Sequence, residues 1–68
     1  MIVTTKLTEA EVRDRAARFG LNVHETTKLN FVVGGGDITV AVNPGDRHTL
    51  AAVQFLRALV SAGLAIAV

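Results

Sequence analysis

The chain has 68 residues, a formal net charge of +1 and no cysteine. That length fits one domain near the lower limit for a chain that makes its own core, and the missing thiols exclude disulfide and thiolate–metal staples. With half its residues hydrophobic and 19% charged the chain is not disordered, and its near-neutrality excludes a general pull toward nucleic acid or acidic membrane. Such binding would need a local patch. A domain this small without staples often gains its remaining stability by associating, so a homo-oligomer is expected.

In chain order, Met1 to Lys6 carries Ile2-Val3-Thr4-Thr5, suited to a short edge strand or a loose end. Thr8-Glu9-Ala10-Glu11 is a capping box, with Leu7 and Val12 at the staple positions around it. The helix it opens runs from Thr8 to Phe19, turns Val12, Ala16 and Phe19 to one face, and closes at Gly20. Its arginines each follow a carboxylate by four residues, as Glu9–Arg13, Glu11–Arg15 and Asp14–Arg18. That spacing reads as a solvated ion-pair face rather than a nucleic-acid surface.

Leu21, Val23 and Glu25 alternate with Asn22, His24 and Thr26, which predicts a first strand. Leu29 to Val42 then alternates on both sides of Gly34-Gly35-Gly36 and predicts a β-hairpin. A two-residue turn at Gly35-Gly36 sets Val33 opposite Ile38, Phe31 opposite Val40 and Leu29 opposite Val42. The core side of this meander carries Leu21, Val23, Leu29, Phe31, Val33, Ile38, Val40 and Val42. The other side carries Asn22, His24, Asn30, Val32, Thr39 and Ala41, with no charged side chain. Solvated sheet faces usually carry charge, so this side reads either as a contact surface or as a merely polar open face.

Asn43-Pro44-Gly45-Asp46 suits a type II turn, after which Asp46 caps a second helix. Ala52, Val53, Leu56, Leu59, Val60 and Gly63 form its inward stripe, and Arg47, Gln54, Arg57 and Ser61 its polar one. Phe55 falls on a flank shared with His48, which adds Phe55 to the candidate interface. Leu64 to Val68 suits a short strand. The apolar run that ends the chain reaches spanning length only by including Gln54 and Arg57, which argues against a membrane segment. The elements add up to an α+β domain, α-β-β-β-α, with a three-stranded antiparallel meander packed on two helices.

Few motifs carry chemistry. The three glycines lack the lysine and helix of a phosphate loop and read as a turn. His24 and His48, the only histidines, have no evident third metal ligand, and Ser61 lies in a helix without the strained turn of a nucleophile. No metal or cofactor is expected. Arg47 and His48 oppose the macrodipole in the first turn of their helix. They read as a phosphate contact beside the helix N–H donors, or as Arg47 paired with Asp46 or the terminal carboxylate while His48 packs on Phe55.

Phe19-Gly20-Leu21, Ile38-Thr39-Val40-Ala41-Val42, Asn43-Pro44-Gly45, Thr49-Leu50, and Leu59 with Ala62-Gly63-Leu64 follow a familiar order. Between about Ala16 and Leu64 the chain resembles the HicA-type mRNA interferase toxins, whose fold is like that of double-stranded-RNA-binding domains. Toxins of that family carry a Gly-Ser-His element opening the second strand, with the histidine catalytic. Here the stretch reads Thr26-Thr27-Lys28-Leu29, so Lys28 nearly takes the histidine's place. Lysine is a poor acid–base group near neutral pH without a strongly shifted pKa.

The resemblance therefore implies a non-catalytic module that contacts RNA or DNA through Lys28, Arg47, His48 and Arg57, with an antitoxin-like protein as a further partner. The competing reading is a protein-interaction module that self-associates through His24, Asn30, Val32, Thr39, Ala41 or the Phe55 flank. A third is an active ribonuclease using His24 or His48. No export signal opens the chain, so a cytoplasmic location is expected.

Overall fold

Residues 2–5 form an inner strand of the sheet rather than an edge strand. In the computed structural model, which describes all 68 residues, β1 (Ile2–Thr5), β2 (Asn30–Val33), β3 (Ile38–Ala41) and β4 (Ala65–Ala67) form one sheet in the order β2-β3-β1-β4. Every neighbouring pair is antiparallel. The helices are α1 (Glu9–Phe19), α2 (Val23–Thr26) and α3 (Arg47–Ser61). The order β-α-α-β-β-α-β contains two β-α-β units, each with its strands separated by one strand of the other, which is the split β-α-β arrangement. No helix is long and apolar enough to cross a membrane.

The α+β class, the antiparallel sheet and its two long packing helices are as expected, and both terminal strands form. β1 sits in the sheet interior because Val3 and Thr5 both turn inward and are buried, opposite Val40 and Ile38 of β3. The Thr5 hydroxyl donates to the Leu64 carbonyl at 2.6 Å and accepts from the Leu7 amide at 3.1 Å. A buried hydroxyl so satisfied ties β1 to the start of β4 without an unpaired polar atom.

The hairpin has the expected register, with Val33 opposite Ile38 and Phe31 opposite Val40. Gly35 and Gly36 both take positive φ, 68° and 98°, which the primed hairpin turn requires and which a side chain would strain. Val33 lies too near the tip to be covered and is exposed.

The segment Leu21–Glu25 departs from expectation: it holds the helical turn α2, not a strand. Asn22 and Glu25 form a capping box, each side chain bonding the other's backbone amide at 2.9 Å. The Thr26 and Thr27 hydroxyls donate to the Asn22 and His24 carbonyls. These local bonds outcompete the period-two pattern, and Val23 points into solvent instead of the core.

The capping box of α1 forms with Thr8 and Glu11, at 3.0 and 3.1 Å. Because Glu11 is occupied there, only two of the three expected helix pairs are made, Glu9–Arg13 and Asp14–Arg18. Arg13 also lies over the Phe31 ring, 4.7 Å from its centroid, and shields it at the sheet's edge. α3 buries Thr49, Ala52, Phe55, Leu56 and Leu59, so its inward stripe is rotated toward Phe55. Phe55 is 1% exposed and sits in the core, with the Phe19 ring 5.5 Å away, so it offers no flank to a partner. Gly63, at φ 75°, ends α3 by letting Leu64 donate back to the Leu59 carbonyl at 2.9 Å and turn into β4.

Candidate functional site

The helices cover one face of the sheet and leave the other open. Strand pairing aligns side chains across it in rows, because directly opposed residues point the same way. One outward row is Val32, Thr39, Thr4 and Ile66; the next is Asn30, Ala41, Ile2 and, through its amide bond to the Ile2 carbonyl, Val68. None of these eight side chains is charged. Ile2 is 47% exposed, Val32 64%, Ile66 72% and Val68 83%. The register continues to Lys6 opposite Asp37, an ion pair at 3.8 Å that closes one end of the face with exposed charge.

Of the expected interface residues, Asn30, Val32, Thr39 and Ala41 therefore do share one surface. His24 does not join them, because its segment is helical, and Phe55 is buried. Ile2, Thr4, Ile66 and Val68 complete the face and were not singled out in the sequence. Their alternation in the two terminal stretches is visible there, but which strands they pair with is not.

A second cluster forms where α2 meets the start of α3. His24 and His48 approach with ring centroids 5.7 Å apart and planes tilted by 41°. Lys28 Nζ stands 3.9 Å from Asp46 Oδ2. Asp46 Oδ1 accepts from the His48 amide at 2.9 Å and the Thr49 amide at 3.2 Å. These amide bonds, the one to Thr49 foremost, hold the Asp46 carboxyl below its ordinary value, with smaller help from the Lys28 and His48 charges.

This geometry revises both readings of the helix start. The amides expected to face a phosphate beside Arg47 are already taken by Asp46. Asp46 pairs with Lys28 rather than Arg47, and His48 meets His24 rather than Phe55. Arg47 is exposed, and Arg57 lies on the same solvent stripe roughly 15 Å further along the helix. Lys28, Arg47 and His48 are brought to one corner; Arg57 is not.

Between α1 and α3 a shallow groove of about 270 Å³ is lined by Phe19, Phe55, Ala58 and Leu59, with Arg15 and Arg18 at its rim. Nowhere do three histidine or carboxylate side chains converge as a metal cage. No protein-family model, curated protein or solved structure matches this chain.

Proposed function

We propose that this domain is a protein-association module that pairs with a second copy of itself through the open face of its sheet. The reading rests on one observation: eight outward side chains spread over all four strands carry no charge and include four exposed aliphatics. Together these aliphatics expose on the order of 500 Å², the size of the largest apolar patch a monomer ordinarily carries. Adding the four smaller and polar residues brings the face to roughly 600 Å², below the ~800 Å² per partner of a standard interface and in the range of a weak, reversible one.

A second copy is the occupant favoured by charge. Set against itself across a two-fold axis, the side chains of the face oppose no like charges and desolvate none, while the Lys6–Asp37 pair stays at the rim. Such pairing stacks two sheets about 10 Å apart and gives each domain a second apolar layer. Sedimentation equilibrium tests this. The expected result is a concentration-dependent monomer–dimer equilibrium in the micromolar range; a strict monomer at millimolar concentration overturns it.

A second reading is favoured by the convergence of Lys28, Arg47 and His48 at the start of α3. It is a non-catalytic contact with RNA or DNA, the role that the resemblance of the sequence to HicA-type toxins implies. Asp46 stands against it by neutralising Lys28. Titration with single- and double-stranded oligonucleotides checks it: binding at tens of micromolar that weakens with salt supports it, and none ends it.

A further inference from the structure

The only two histidines of the chain come from separate elements, one on α2 and one in the first turn of α3, and meet at the surface. Neither imidazole is used by the fold. The hydrogen bonds at these positions are made by backbone atoms, the His24 carbonyl accepting from Thr27 and the His48 amide donating to Asp46. His24 is exposed and His48 is half-buried, so neither residue is sealed from solvent.

The geometry points to a two-histidine chelate for a divalent first-row transition ion, Zn²⁺, Ni²⁺ or Cu²⁺, with water completing its coordination. Imidazole nitrogens bind such ions at about 2.0–2.1 Å, and at a tetrahedral angle this sets the two ring centroids roughly 5 Å apart. The observed 5.7 Å is larger than that by on the order of half an ångström, within reach of small side-chain rotations.

α2 is four residues long and buries no side chain, so it yields easily to such an adjustment. The local charges are Asp46, which favours a cation beside His48, and Lys28, which stands against Asp46 and limits that help. The ion pins α2 to the start of α3, a contact the fold otherwise makes without a buried anchor. Imidazole selects these ions over Mg²⁺, which prefers oxygen ligands.

Tag-free protein titrated with ZnCl₂, NiCl₂ or MgCl₂ tests the site by calorimetry, thermal unfolding and imidazole NMR. The expected result is saturable binding of zinc and nickel with one ion per chain, a raised melting temperature, and joint shifts of the His24 and His48 ring signals. Magnesium gives none of these. His24→Gln and His48→Gln each weaken zinc binding by at least about tenfold, the least that loss of even a supporting contact to a ligand brings. The metal-free melting temperature of His24→Gln stays near that of the parent, because the side chain is exposed. Zinc affinity unchanged in either variant, or no saturable binding at millimolar zinc, overturns the proposal.

Discussion

Val32 and Ile66 lie on opposite edge strands yet share one outward row, joined across the sheet by Thr39 and Thr4. Residues 34 positions apart in sequence thus border a single uncharged strip. If that strip is where two copies meet, one charge placed on it must be desolvated or must break the contact. Val32→Glu and Ile66→Lys are each expected to weaken dimerisation at least tenfold, about 1.4 kcal/mol, by sedimentation. Both positions are exposed, so circular dichroism and the melting temperature should change little.

The core makes a separate prediction. The apolar spacing of α3 places Phe55 on a flank, but the structure buries it in the core against Phe19. Phe55→Ala should cost about 3–5 kcal/mol in urea unfolding, a large part of the whole stability of so small a domain. Val53, which stays partly exposed, should cost clearly less when cut to alanine. Equal effects would mean that α3 packs in the orientation its apolar stripe alone implies.

Asn22 gives a test specific to α2. As the capping residue it holds the Glu25 amide, so Asn22→Ala should destabilise by about 1 kcal/mol and speed amide exchange at Glu25 first. In an extended strand the same change would be neutral or favourable, since asparagine is a poor strand former.

Acid should loosen both long helices at their starts. The Thr8 amide and hydroxyl hold the Glu11 carboxyl below its ordinary value, as the Thr49 amide does for Asp46. A carboxyl whose folded pKa is depressed lends stability above its unfolded value, and that stability is lost as pH falls toward the depressed one. Helical signal and melting temperature should therefore hold near neutrality and decline below the ordinary carboxylate range. In Asp46→Asn the decline should be shallower, because the amide oxygen still caps but does not titrate.

Most local chemistry was legible in the sequence and long-range pairing was not. The type II turn expected at Asn43-Pro44-Gly45-Asp46 does not form, because Gly45 lacks the positive φ it requires. The Thr8 and Asp46 caps, the glycine stops and the hairpin register all follow from neighbours a few residues apart. Asn22-Val23-His24-Glu25 carries the same kind of capping signal, but alternation over Leu21–Glu25 competes with it, and the short window does not decide between them. The place of β1 beside β3, and of β4 beside β1, depends on contacts between the ends of the chain that no local pattern encodes. For the same reason half of the open face, Asn30, Val32, Thr39 and Ala41, was visible in advance while Ile2, Thr4, Ile66 and Val68 were not. The two histidines meet only because α2 is helical, which the alternation over Leu21–Glu25 hides.

The most direct test of the association account is amide chemical shift followed against protein concentration. Self-pairing through the sheet predicts progressive shifts at Thr4, Val32, Thr39 and Ile66, with Gln54 and Arg57 on the solvent side of α3 unmoved. Shifts confined to α1 and α3, or none up to millimolar concentration, would contradict it.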